Sequence, residues 1–135
     1  MQRTAMCACG ELQVTVAGDP DRVLACNCRQ CQRRTGSAFG VGAYFTDAQV
    51  TKIEGQAQTF SRTAGAVTFA TSFCPRCGTS VFWRASAVPG QIAIAVGCFA
   101  DPSFPPPDIV AWTSEQHGWV CFPEGVVTIP TSAFK

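Results

Sequence analysis

Phe73-Cys74-Pro75-Arg76-Cys77-Gly78 is a cysteine knuckle, and the way its two thiols are satisfied decides the fold. A C-x-x-C pair closed by glycine presents both sulfurs on one side of a tight turn whose backbone N–H groups can face them. A structural zinc site takes four tetrahedral ligands, so the knuckle calls for a second pair. Cys7-Ala8-Cys9-Gly10 supplies one from the start of the chain, again ending in glycine. Joining Cys7 and Cys9 to Cys74 and Cys77 closes a long loop and fixes the N-terminal strand against the middle of a sheet. Apparent zinc-binding energies of roughly 10–16 kcal/mol rival the roughly 5–15 kcal/mol net stability of a typical domain, so a chain without this metal should be largely unfolded.

Cys26-Asn27-Cys28-Arg29-Gln30-Cys31 carries three thiols spaced C-x-C-x-x-C. Three protein ligands with one exchangeable position is the catalytic zinc pattern, whereas four close the metal off. Nothing within the stretch completes the shell, so a fourth ligand would have to come from elsewhere, such as His117, Cys98 or Cys121. An open zinc can hold a substrate thiol as thiolate, a form that a free thiol of pKa about 8.5 reaches only to about 3% at pH 7. The gain is about thirtyfold, or roughly 2 kcal/mol. Part of it is lost because a stabilised thiolate is a weaker nucleophile, and positioning of the electrophile must supply the rest. Three thiolates on Zn²⁺ leave one net negative charge. Arg29, Arg33 and Arg34 lie close enough in sequence to offset it or to receive substrate carboxylates, and a solvated basic turn is the plainer reading.

The totals place these motifs in a small folded protein. A chain of 135 residues with 47% hydrophobic and 14% charged residues is expected to fold as a single domain over residues 1–135. Its nine cysteines are odd in number and no secretory signal precedes them, which favours metal over disulfides and a cytoplasmic location. No apolar stretch approaches a membrane span, so no membrane partner is expected. With a net charge of +1 and no long basic run, no nucleic-acid partner is expected either. Oligomeric state is not legible.

Residues 12–16 alternate apolar and polar side chains with the period of a half-buried strand, and residues 18–21 read as a turn. Further strand candidates are residues 22–25, 38–45, 49–53, 58–61, 67–73, 80–84, 91–98, 109–112 and 126–129. One helical turn over residues 32–35, ended by Gly36, is the only helix expected. Many short strands without a long helical period predict an all-β architecture. The proline-rich stretch 101–108 reads as a stiff extended surface loop, with walling a pocket as the alternative. Cys98 and Cys121 lie among apolar neighbours and read as small core residues. His117, the single histidine, reads as a loop residue, with a general base or late zinc ligand as the functional alternative. Trp83, Trp112 and Trp119 are expected in the core or a pocket wall.

Taken together, Cys7-Ala-Cys-Gly10, Cys26-Asn-Cys-Arg-Gln-Cys31 with Gly36-Ser-Ala-Phe39, Phe73-Cys-Pro-Arg-Cys-Gly-Thr79 and Val96-Gly-Cys-Phe-Ala-Asp101 resemble the glutathione-dependent formaldehyde-activating enzyme family, whose domain is shared with centromere protein V. The blocks follow the family's order over nearly the whole chain. The resemblance implies an all-β, zinc-stapled β-tent of small antiparallel sheets with very little helix. It also implies two zinc ions: a structural one at Cys7, Cys9, Cys74 and Cys77, and a catalytic one at Cys26, Cys28 and Cys31. The implied activity is that of a carbon–sulfur lyase of the S-hydroxymethylglutathione synthase type, with a small-molecule thiol such as glutathione and formaldehyde or a related aldehyde as partners. One departure is Asn27, where the family often has histidine; an asparagine can still hydrogen-bond outward from the site. A non-enzymatic zinc-binding interaction module of the same fold is the alternative, and it predicts a second metal closed by a fourth protein ligand, or absent.

Overall fold

The computed structural model describes residues 1–134. Its strands, in chain order, are β1 (Gln2–Met6), β2 (Gln13–Ala17), β3 (Arg22–Cys26), β4 (Gly40–Thr46), β5 (Val50–Glu54), β6 (Gln58–Ala64), β7 (Val67–Phe73), β8 (Ser80–Ala85), β9 (Gln91–Ala95), β10 (Ile109–Ala111) and β11 (Val127–Thr128). A single α-helix among the described residues, α1 (Arg29–Thr35), leads from β3 to β4, and three short 3₁₀ turns complete the regular structure. The fold is all-β, as the sequence leads one to expect.

The strands form a three-stranded sheet of order β1-β2-β5 and an eight-stranded sheet of order β11-β10-β3-β4-β9-β8-β7-β6. The small sheet is antiparallel throughout. The large one is antiparallel from β3 to β6, but β10 pairs parallel with both β3 and β11, so its far edge departs from the antiparallel expectation. That pairing places residue 111 opposite residue 26 and brings the late part of the chain beside the three-cysteine stretch.

Period-two alternation gives the large sheet two apolar faces. Val23, Ala43, Phe45, Val81, Ile92 and Ile94 point one way and meet Ala5, Leu12, Val14 and Val16, forming the core between the sheets. Their neighbours Leu24, Tyr44, Trp83, Ala93 and Ala111 point the other way and form a second cluster. A sheet buried on both faces carries near-continuous apolar runs, which explains Val23-Leu24-Ala25 and Ile92-Ala93-Ile94.

Several elements differ from expectation at their ends. β1 carries Arg3 and Thr4 among small and apolar residues, a weak strand signal locally, and it forms because all five of its residues pair with β2. The expected strand 91–98 stops at Ala95 and turns into a 3₁₀ segment, Val96–Phe99. The proline-rich loop packs inward through Phe104, stacked on Phe99 at 4.8 Å with the Arg3 guanidinium over it at 5.1 Å, and so braces the core, while none of its residues lines the cavity beside the three-cysteine stretch. No helix among the described residues is long and apolar enough to cross a membrane.

Candidate metal centres and the cavity beside them

The four cysteines of the two knuckles converge, with sulfurs all within 4.8 Å of one another. Cys7 follows β1 and Cys74 follows β7, so the cluster joins the small sheet to the large one. The Sγ atoms of Cys7 and Cys9 are 3.6 Å apart, and those of Cys9 and Cys74 are 3.7 Å apart. Four sulfurs at about 2.3 Å from a tetrahedral zinc stand about 3.8 Å apart, whereas a disulfide bond would bring two of them to about 2.05 Å. The spacing therefore fits a metal and no disulfide is present.

Backbone donors serve the sulfurs. The Leu12 N–H donates to Cys7 Sγ at 3.2 Å, and the turns close through Gly10 N–H to Cys7 O and Gly78 N–H to Cys74 O. Gly10 and Gly78 both sit at φ 81°, a left-handed conformation that glycine adopts without penalty, as their place in the motif requires. Thr79 clips the knuckles together: its hydroxyl lies 3.3 Å from Cys77 Sγ and accepts the Ala8 N–H at 3.1 Å. With that hydroxyl and the Thr79 N–H beside it, the Cys77 thiol is pulled down to about 5.

The three-cysteine stretch is built differently. Cys26 is the last residue of β3, Cys28 is the N-cap of α1, and Cys31 lies in the first helical turn, where its N–H donates to Cys28 Sγ at 3.3 Å. Their three sulfurs also lie within 4.8 Å of one another, and no fourth Cys, His, Asp or Glu joins the group among the described residues. The donor set fits a thiophilic ion held on one side only. Cys28 lies far below an ordinary thiol because the thiols of Cys26 and Cys31 and the Cys31 N–H hydrogen-bond its thiolate, while Cys26 is pushed up, chiefly by Cys28.

The residues between and after the cysteines are braced by the segment following β10. Asn27 is fully buried, its N–H and its side-chain amide both donating to Ala111 O at 3.1 Å and the amide also reaching Gln116 Oε1 at 3.4 Å. It thus hydrogen-bonds outward from the cysteine cluster, as expected from the sequence, with partners on β10 and the segment after it. The Gln32 amide donates to Asn27 O at 2.8 Å and to Glu115 O at 3.1 Å. Glu115 in turn holds Arg29, accepting its backbone N–H at 3.1 Å and facing its Nε at 3.2 Å. Trp112, at φ 56°, takes a left-handed backbone that costs a non-glycine residue roughly 1–2 kcal/mol, a strain that this pairing pattern supports.

All three cysteines of this second cluster line a cavity of about 560 Å³ on the β4-β9-β8 face opposite the core. Its floor is Tyr44 and Trp83, one side is α1, and the β6–β7 hairpin with its Ala64-Gly65-Ala66 turn forms the other. Gly42 lets Trp83 lie flat on β4, since a Cβ there would come within 2.5 Å of the indole ring. The Arg34 guanidinium lies 4.4 Å from the Trp83 ring centroid. Burial pushes the Tyr44 hydroxyl up to about 12, so it stays protonated at neutral pH. Phe134 closes the end of the cavity against Tyr44 and Phe69.

The other candidates fall elsewhere. His117 is exposed, with Nε2 3.0 Å from Gln32 Oε1 and its ring edge-on to Trp119, and it is not part of either cysteine group. Cys98 is half-buried against the core, and burial pushes it up to about 11. Cys121 is exposed, not a core residue, because the neighbouring Val120 takes the buried position in an irregular segment. Trp83 and Trp112 line the cavity, whereas Trp119 is 74% exposed. Glu115, Gln32, Arg62 and Phe134 were not singled out in the sequence. Glu115 reaches the site through the β3–β10 pairing, Arg62 from the β6–β7 hairpin and Phe134 from the C-terminal segment, placements that leave no local signal, whereas Gln32 stands beside Cys31 on α1.

The fold and its cysteines define an all-β protein with one four-thiol and one three-thiol cluster able to hold metal ions. The family model described as glutathione-dependent formaldehyde-activating enzyme matches residues 2–115, and the chain belongs to that family. A crystal structure of a Rhodobacter sphaeroides protein, a structural-genomics target, shares the fold with a TM-score of 0.57 at 16% identity, covering 93% of this chain and 98% of that one. No curated protein sequence matches the chain.

Proposed function

We propose that the chain, acting as one domain over residues 1–135, is a zinc-dependent carbon–sulfur lyase that reversibly combines a thiol such as glutathione with formaldehyde or a related small aldehyde. Family membership supports the reaction class, and one observation carries its assignment to a site: the three-cysteine cluster lines the cavity while the four-cysteine cluster does not. In this reading Cys7, Cys9, Cys74 and Cys77 hold a structural zinc, and Cys26, Cys28 and Cys31 hold a second. A zinc ion at the triplet would supply Lewis acidity that favours the thiolate form of an incoming thiol at neutral pH.

The remaining work belongs to the chain. In the addition, the thiol sulfur bonds to the aldehyde carbon, the carbonyl π pair moves onto oxygen, and the proton released by the thiol ends on that oxygen. The aromatic floor and the hairpin keep bulk water from the reacting pair, and the walls hold the two reactants together, which offsets the reduced nucleophilicity of a stabilised thiolate. Glu115, by holding Arg29, and Gln32, by holding the Asn27 carbonyl, fix the cysteines' approach to the cavity. The half-buried setting of all three cysteines, facing a cavity without a fourth protein ligand among the described residues, favours this reading over a closed interaction module. Incubating the zinc-loaded protein with formaldehyde and glutathione tests it. Adduct formation faster than the uncatalysed background is expected, and a rate equal to background contradicts the formaldehyde–glutathione version.

A further inference from the structure

We infer that the cavity selects an anionic thiol with an apolar body, a carboxylate held between Arg34 and Arg62 and an aromatic or branched aliphatic group laid on the Trp83 side, in preference to glutathione. The inference rests on the proposed thiol–aldehyde activity for the role of the sulfur, but its charge and shape arguments stand apart from it.

The charge argument begins with partners. Arg34 comes from the end of α1 and Arg62 from β6, and both line the cavity. Neither takes part in any of the ion pairs found among the described residues. Each instead lays its guanidinium on an aromatic ring, Arg34 on Trp83 at 4.4 Å and Arg62 on Phe69 at 4.5 Å. A guanidinium stacked by its face keeps its N–H edge free, and that edge matches a carboxylate two bonds at a time. The Arg34 guanidinium passes close over Gly40, where a Cβ would stand 2.6 Å from Nη2.

The second half of the argument is what the cavity lacks. Glu115 is the one acidic side chain among its lining residues, and both of its oxygens are engaged by Arg29. A ligand ammonium would therefore enter a cavity with two unpaired arginines, Arg34 and Arg62, and no free carboxylate, an unfavourable position that the single net negative charge of a three-thiolate zinc would offset only in part. Leu24, Tyr44, Phe69, Trp83, Ala111 and Phe134 make the wall largely apolar. Glutathione brings an ammonium and a polar peptide body, for which this wall offers few partners. A compact carboxylate with an aromatic or aliphatic group matches the charge, the wall and the volume of about 560 Å³.

Binding can be read without any reaction by using probes that carry neither thiol nor aldehyde. 3-Phenylpropanoate, its neutral amide and 3-phenylpropylamine are titrated into the zinc-loaded protein while the indole fluorescence is followed. The carboxylate should bind about tenfold or more tighter than the amide, the amine should bind weakest, and Arg62→Gln should erase the carboxylate's advantage. Equal binding of carboxylate and amide by the unaltered protein overturns the inference and needs no variant to fold. In a second arm, 2-benzyl-3-mercaptopropanoate and glutathione are compared as thiols toward formaldehyde. Faster turnover of glutathione, with no carboxylate preference among the probes, sinks the inference and leaves the thiol–aldehyde reaction standing. An arginine-dependent carboxylate preference with no turnover of either thiol does the reverse.

Discussion

The two cysteine clusters present the same side chain in opposite settings. One draws its thiols from positions 7, 9, 74 and 77, alternately buried and exposed, and ties the end of β1 to the end of β7. The other draws all three from one strand end and the helix that follows, each half-buried and facing a cavity. A metal shared by distant segments contributes its binding energy to folding, because the unfolded chain cannot assemble the site. A metal held by three neighbours in sequence contributes less to the fold, and it keeps one side toward the cavity. In the proposed function, sequence separation and ligand number divide a structural site from a chemical one.

The comparison breaks most visibly at the first cluster. Cys74→Ser removes one of four ligands, and loss of cooperative unfolding at ambient temperature, followed by circular dichroism, is the expected result; unchanged thermal stability would remove the structural role. At the second cluster Cys28→Ala should abolish adduct formation in a thiol–formaldehyde assay while the protein stays folded. It also removes the α1 cap, worth about 1 kcal/mol, so Cys28→Ser serves as the control that keeps a capping oxygen.

Smaller effects sharpen the division. Gly42→Ala drives a methyl into the Trp83 ring and is expected to cost about 1–3 kcal/mol and to lower turnover, with denaturant unfolding and the thiol assay as the two readouts. Gln32→Ala frees the Asn27 and Glu115 carbonyls and should cost about 1–2 kcal/mol, with activity falling more than stability if the brace positions the cysteines. Cys121→Ser, at an exposed thiol outside both clusters, should stay within about 0.5 kcal/mol of the parent and leave activity unchanged.

The cysteine spacings were enough to pair the two knuckles and to set the triplet apart, because ligand chemistry restricts spacing to a few local patterns. Most strands were equally legible, since alternation at Leu12 to Val16 and the apolar runs on β3 and β9 follow from which faces are buried, but β1 was not, because its own residues alternate little. The helix was seen only as its last turn. Its first turn is Arg29-Gln30-Cys31, which has little apolar periodicity and is nucleated by the Cys28 cap. Least legible was the cavity. Arg62 and Phe69 reach it because the β6–β7 hairpin curls over the sheet, and Glu115 reaches it because β10 lies beside β3. Such long-range placements depend on sheet order, which no short window of sequence encodes. Asn27 shows the same limit at one residue: a contact outward from the site was expected, but its partners, Ala111 and Gln116, arrive from far along the chain and carry no signal beside it.

The claim that the clusters do different work is tested most directly by counting zinc per folded chain in the parent protein and in Cys28→Ala. Two zinc ions in the parent and one in the variant, with cooperative unfolding retained in both, is the predicted result. One zinc in each, or a variant that unfolds on losing its second zinc, would contradict it.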